Sequence, residues 1–188
     1  MKGVRRPKQA EGRSRRPSWS ELRLLLRELS PRVKDGSWIG ARNPWVLPAA
    51  VFALRTAMRR GEILAMRWEH VKLNECFVHL PVTKNSSSRD VPLSKKAVTL
   101  LKRVHRGEKS GLVFPASTSA FKQVFARAME RSGVENLRFH DFRHDAATRL
   151  ASKLSNVLEL SAVTGHKSLS MLKRYYNPKA SELAQKLD

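Results

Sequence analysis

The sequence predicts a mainly α-helical fold with a small antiparallel β-sheet or hairpin, an α+β class in which strands are the minority. Three observations predict it. Leu22, Leu25, Leu26 and Leu29, then Ala97, Val98, Leu100, Leu101 and Val104, then Phe121, Val124, Phe125 and Met129 recur at the three- and four-residue spacing of a helix face. From Val46 to Met58 the chain is apolar on nearly all sides, as a helix at the centre of a fold must be. The period changes at Phe77, Val78, Leu80 and Val82, where a short strand is expected.

Taken in order, residues 1 to 17 carry seven basic side chains against one acid, with two prolines and no apolar period. They read as a basic flexible linker or arm that could track a phosphate backbone, or as a plain solvated tail. Ser18 and Glu21 form a capping-box pattern ahead of the first leucine-rich helix, which ends before Pro31. A loop with Gly36 and Gly40 leads to Asn43-Pro44, a cap and a first-turn proline, and Pro48 delays the helix that follows. Arg59 and Arg60 interrupt the apolar run, Gly61 permits a turn, and Ile63, Leu64 and Met66 resume as helix. After the strand at Phe77, Lys84 to Arg89 is a polar turn, and Val91 to Leu93 is a return strand that Pro92 limits to a sheet edge. Ser94 to Arg106 is helical, Leu112 to Phe114 is a short strand, and the next helix stops at Gly133. Beyond Asn177-Pro178, residues 179 to 188 read as a short amphipathic helix with Leu183 and Leu187, able to dock on its own body or on a neighbouring protomer.

A chain of 188 residues is long enough to bury a core, and 41% hydrophobic residues exclude general disorder. The formal charge of +21 exceeds what a solvated surface needs, since like charges repel in the compact state. Nucleic acid compensates such charge best through counterion release, with an anionic membrane as the alternative. No apolar run approaches the roughly 18 residues of a membrane span, and no signal peptide is expected where Met1 opens onto arginines, prolines and lysines. The single Cys76 excludes an internal disulfide and a multi-cysteine zinc cage. A cytoplasmic protein acting where the DNA lies is expected.

The chemistry gathers at Arg59, Lys84, His140, Arg143, His166 and Tyr175: two guanidinia, an ammonium, two imidazoles and a phenol, without a carboxylate cluster. His140 and Arg143 share one helix face, one turn apart. Paired arginines can grip a phosphodiester and stabilise its five-coordinate transition state, work that metal ions do elsewhere. A tyrosine whose pKa cations lower can attack phosphorus to leave a covalent phosphotyrosine, and Lys84 on its hairpin can protonate the departing 5′ oxygen. His144, four residues after His140, could suggest a metal pair, but no carboxylate or cysteine completes it and a supporting contact is expected. Between the two tyrosines, Tyr176 falls on one stripe with Leu169 and Leu172, which leaves Tyr175 to face a ligand.

Four segments in order resemble the catalytic domain of the tyrosine recombinases, or phage-integrase family: TAMRRGEILAMRW, TKNSSSRDVPL, HDFRHDAATRL and TGHKSLSMLKRYY. The resemblance covers roughly residues 18 to 180, with the catalytic domain drawn at 18 to 178. It implies Arg59 and Arg143 as catalytic arginines, Glu62 as a supporting acid for Arg59, Lys84 as the catalytic lysine, His140 and His166 as catalytic histidines and Tyr175 as nucleophile. Ala57 stands where the first box usually has glycine, and Thr164 where leucine commonly precedes Gly-His. The family's helical core-binding domain, which closes a clamp on DNA, is not matched here, so weak and salt-sensitive binding is expected. The implied activity is site-specific cutting and rejoining of double-stranded DNA, without metal, cofactor or ATP, by a homotetramer assembled on DNA from chains that can be monomeric in isolation. A type IB topoisomerase, a non-catalytic DNA-binding relative and a metal-dependent nuclease are the alternatives.

Overall fold

In the computed structural model, residues 13–34, 37–81, 88–154, 156–176, 181, 184 and 187 are described. The first helix, α1 (Trp19–Leu29), starts at the predicted capping box: Ser18 Oγ accepts from the Glu21 N–H, and Glu21 Oε2 accepts from the Ser18 N–H. The segment read as a loop is a two-stranded antiparallel hairpin, β1 (Arg32–Lys34) and β2 (Ser37–Ile39). Three-residue strands are too short for alternation to reveal them. The central helix α2 (Val46–Thr56) begins earlier than Pro48 suggested. Pro48 is its third residue, where an N–H would lack a helical partner in any case, so the proline costs no hydrogen bond.

The turn out of α2 is made by Ala57 and not by Gly61. Ala57 is left-handed, with φ of 55°, while Gly61 lies inside α3 (Arg60–Leu64). A three-stranded antiparallel sheet follows, in the order β3 (Val71–Lys72), β4 (Phe77–Leu80) and β5 (Arg89–Pro92). β3 is too short for a pattern to expose, and β5 begins two residues before the predicted start. Pro92 lies on the edge strand, as expected. Lys84 and Val82 lie outside the described residues.

Helix α4 (Lys95–Val104) is capped by Ser94, and α5 (Thr118–Ser132) stops at Gly133. Leu112 to Phe114 is not a strand. It makes a single bridge, Arg67 to Leu112, with the Val113 N–H donating to the Met66 carbonyl at 2.9 Å. Three residues facing a connecting segment cannot extend a ladder. Then come α6 (Phe139–Ala151), α7 (Val157–Thr164) and a 3₁₀ turn at Leu169–Met171. Of the C-terminal segment, Ser181 and Ala184 are helical and Leu187 is exposed, while Leu183 lies outside the described residues.

Helix α2 is the centre of the core, packed by α1, α3, α4, α5 and α6 around Phe52, Phe114, Phe121 and Phe142. Burying a side chain of this size contributes about 1.5–3 kcal/mol, so this cluster sets the relative positions of the helices. α7 packs on both α6 and β5. That contact carries the turn after α7 to the site. No helix among the described residues is long and apolar enough to cross a membrane.

Candidate active site

Seven of the eight side chains singled out in the sequence meet where α2, α3, α6 and the segment after α7 converge. Arg59 is the N-cap of α3. Its backbone N–H donates to Glu62 Oε2 at 2.8 Å, its Nη1 to Glu62 Oε1 at 2.8 Å and its Nη2 to the Gly165 carbonyl at 3.0 Å. Arg143, 3% exposed, braces the other side: Nη1 donates to the Ala57 carbonyl at 2.5 Å and Nη2 to the Thr164 carbonyl at 2.7 Å. Two guanidinia distant in sequence are thereby anchored to one loop, through consecutive carbonyls. Such packing preorganises them.

His166 sits in that loop in an assignable tautomer. Arg143 Nη2 donates to His166 Nε2 at 3.2 Å, so Nε2 is bare and Nδ1 carries the proton, which it gives to Thr164 Oγ1 at 2.7 Å. The Thr164 hydroxyl donates in turn to the Leu160 carbonyl at 2.6 Å. Burial, with Arg143 and Arg59 behind it, lowers the His166 pKa to about 4, so the ring is neutral near pH 7. Burial, then Arg59, also lowers that of Arg143 to about 10. His140 stands exposed at the mouth of a cleft of about 380 Å³ that Arg59, Arg60, Arg138 and Arg143 also line. Partial desolvation by its neighbours, then Arg143, lowers its pKa as well.

Tyr175 packs against the cluster of Ala57, Ala146 and Ala147, as Leu150 does. Its hydroxyl lies 2.5 Å from His144 Nδ1. Its phenol is not lowered by the surrounding cations: burial raises it, outweighing Arg174 and Arg143. This corrects the sequence-based expectation, because the same packing that holds the ring also strips water from the phenolate. The expected stripe of Leu169, Leu172 and Tyr176 does not form either. Leu172 is buried but Leu169 is 48% exposed, because the segment is a 3₁₀ turn and not an α-helix. His144 is in contact with Tyr175, and Glu62 is hydrogen-bonded to Arg59. Lys84 lies outside the described residues.

Arg89 is the residue that sequence reasoning missed. Its Nη1 and Nη2 donate to Glu62 Oε1 and Oε2 at 2.9 and 3.0 Å, a bidentate pair in which both side chains are about nine-tenths buried. Burial pushes the Glu62 carboxyl up, but hydrogen bonds from Arg89 and from Arg59 outweigh it and hold the pKa at about 2. The Arg89 guanidinium lies flat on Gly165, where a Cβ would stand 2.6 Å from its Cζ and where φ is +67°. Only glycine satisfies both demands. The polar run KNSSSR places Arg89 at the end of a turn, two residues before the return strand expected at Val91, and so disguises it.

The phage integrase family model matches residues 42–182. The shufflon-specific DNA recombinase of Escherichia coli is 43% identical over 186 residues, covering 98% of this chain and 46% of the relative. The chain spans about half the length of the curated relatives it matches. Among solved structures, the catalytic domain of bacteriophage HP1 integrase superposes with a TM-score of 0.68 at 24% identity, covering 92% of this chain and 94% of that domain. A lambda integrase tetramer bound to a Holliday junction superposes with the same TM-score of 0.68 at 19% identity, covering 92% of this chain and 51% of that one. At these identities the structural likeness speaks for the fold.

Proposed function

The chain belongs to the phage integrase family, and from that premise we propose that residues 18–178 are the catalytic domain of a site-specific DNA recombinase. The observation that carries this reading is the joint anchoring of Arg59 and Arg143 to the Gly165 and Thr164 carbonyls, with the Tyr175 ring 5.9 Å from that of His166 in the same loop. Arg59, Arg143 and His140 hold the non-bridging oxygens of a scissile phosphodiester and offset the charge that grows on them, while His166, whose Nε2 accepts from Arg143, keeps that guanidinium in place. Glu62 and Arg89 keep Arg59 in place. Tyr175 Oη attacks phosphorus, the P–O5′ bond breaks, and Lys84 gives the 5′ oxygen its proton. A 3′-phosphotyrosine results. Because the phosphodiester energy is retained in that linkage, rejoining to a new 5′ hydroxyl needs neither metal nor ATP.

The partner is double-stranded DNA, for which the net charge of +21 supplies the attraction. Strand exchange between two duplexes requires four active sites, so a homotetramer assembled on DNA follows. The lambda integrase tetramer on a Holliday junction is the precedent among the structural neighbours. Residues 1–17 act as an arm on this reading and residues 179–188 as a contact between protomers. The place of action is the cytoplasm, at the nucleoid.

Supercoiled plasmid incubated in EDTA, quenched in denaturant and analysed by mass spectrometry tests the reading. The expected result is a nucleotide adduct on Tyr175 that EDTA does not affect and that Tyr175→Phe abolishes. An adduct on Tyr176 or loss of cutting in EDTA would overturn it. Relaxation without exchange between two duplexes carrying a cleaved sequence would assign a topoisomerase in its place.

A further inference from the structure

We propose that His144 is the proton acceptor for the Tyr175 hydroxyl, so that the chain carries its own base for the attacking phenol. This rests on the strand-transfer reading above and extends it to the one proton that reading leaves unassigned. Among the described residues, His144 Nδ1, 2.5 Å away, is the acceptor within hydrogen-bond distance of Tyr175 Oη. The ring is 8% exposed, so bulk water has little access to the nitrogen that faces the phenol. A deprotonating phenol in this pocket needs an acceptor built into the protein.

The direction of the hydrogen bond follows from the surroundings. Burial, then His140 and Arg174, lowers the His144 pKa to about 4, while Tyr175 is raised. Both partners are therefore neutral near pH 7, the phenol donates, and Nδ1 is the bare nitrogen. The groups that face the imidazole are His140, Asp141 and Arg143 on its own helix, Arg174 and Tyr175 from the segment after the 3₁₀ turn, and His166 from the loop after α7. A weak base at rest becomes a stronger one when an anionic phosphodiester enters, because a nearby negative charge favours the imidazolium. Arg143 is meanwhile engaged by the phosphate, and its depressing influence on the ring falls.

The step balances. As the bond between Tyr175 Oη and phosphorus forms, the phenol proton passes to His144 Nδ1. The P–O5′ bond breaks, and the leaving oxygen takes its proton from Lys84. On rejoining, the incoming 5′ hydroxyl gives its proton to the neutral Lys84 amine as it attacks phosphorus, the bond from phosphorus to Tyr175 Oη breaks, and His144 returns the proton to the phenol. Ala57, Ala146 and Ala147, small and fully buried, leave room for the tyrosine ring and keep Oη against Nδ1 throughout.

The chain has only two tyrosines, which makes a DNA-free test available. In a Tyr176→Phe background, methanesulfonyl fluoride labels Tyr175 with loss of fluoride and of the phenol proton, and mass spectrometry gives the rate. His144→Asn keeps an amide oxygen near the Nδ1 position, able to accept a hydrogen bond but not a proton. The expected result is a fall of about 100-fold or more in labelling, with the thermal midpoint near that of the parent. Labelling by the Asn variant within threefold of the parent would overturn the proposal, since holding the hydroxyl would then suffice. His144→Phe, which removes the acceptor, is expected to be at least as slow; a parent-like rate in a folded Phe variant would overturn it equally. The plasmid adduct assay on the same proteins separates the two readings. Adducts formed at the parent rate by His144→Asn sink the proton transfer alone, whereas slow labelling in that variant with no adduct from the parent sinks the strand-transfer reading and leaves the His144 assignment standing.

Discussion

Thr164 stands where leucine commonly precedes Gly-His in the resembling family, and its hydroxyl fixes the tautomer of His166 by accepting from Nδ1. Ala57 stands where glycine is usual, and it keeps the left-handed conformation that glycine would hold more cheaply, at a cost of about 1 kcal/mol. Its buried methyl packs on Ala146 and Ala147. Both departures are therefore accommodated within the site itself. Arg89 is the more consequential residue at this scale. Arg89→Ala leaves Glu62 with one guanidinium in place of two and uncovers Gly165. It is expected to lower stability by about 3 kcal/mol, the order seen when one partner of a buried pair is removed, measured by urea unfolding. The rate of Tyr175 adduct formation should fall at least tenfold, because Arg59 loses the fixed carboxylate that aims it. A parent-like rate would show that Glu62 positions Arg59 unaided.

At the scale of elements, α6 departs most from what its sequence suggests. HDFRHDA reads as a polar helix start, yet residues 141 to 147 are all buried. Each turn of the helix is covered by a different partner. Phe142 enters the core, Arg143 reaches the loop after α7, and His144 lies under Tyr175. The acids are covered by the N-terminal arm: Arg13 Nε pairs with Asp141 Oδ1 at 2.7 Å, and Arg16 Nη2 with Asp145 Oδ1 at 2.9 Å. Asp141 is fully buried, and hydrogen bonds from Arg13 and the Arg138 N–H outweigh burial to keep its pKa below the usual carboxylate value. Arg13 and Arg16 thus pair with the protein's own acids. Replacing Arg13 and Arg16 together by alanine is expected to lower Tm by about 5 °C in a thermal scan, since two buried carboxylates lose charged donors. An unchanged midpoint would show that the arm merely rests on α6.

For the whole molecule, pH is the informative variable. His144 and His166 are held at about 4 in the folded state, below the ordinary imidazole value near 6.5. The unfolded chain therefore takes up protons first as pH falls, so their contribution is complete above about 6.5 and lost as pH approaches 4. Glu62 acts in the same direction at lower pH, its contribution being complete above its ordinary value and lost toward about 2. Urea unfolding is expected to show a loss on the order of 3 kcal/mol between pH 7.5 and pH 5. A flat profile over that range would mean that the two imidazoles are freely protonated in the folded protein.

The sequence by itself determined the fold class, the central helix, the capped helix starts and the order of the reactive residues. These are legible because periodicity, caps and motif spacing are local properties, read within one or two turns of chain. Only the tertiary structure decided that Arg89 locks Glu62, that Thr164 sets the His166 tautomer, that Tyr175 rests on His144 and that arginines of the arm neutralise α6. Arg89 meets Glu62 and Tyr175 meets His144 across 27 and 31 residues, Arg16 meets Asp145 across 129, and Thr164 meets His166 only through the left-handed turn at Gly165. Neither the long separations nor the turn conformation leaves a periodic signal in the sequence. Whether an arginine, threonine or phenol meets its partner is set by how the buried faces of α2, α6 and α7 come together, and that is an outcome of core packing rather than of any one segment.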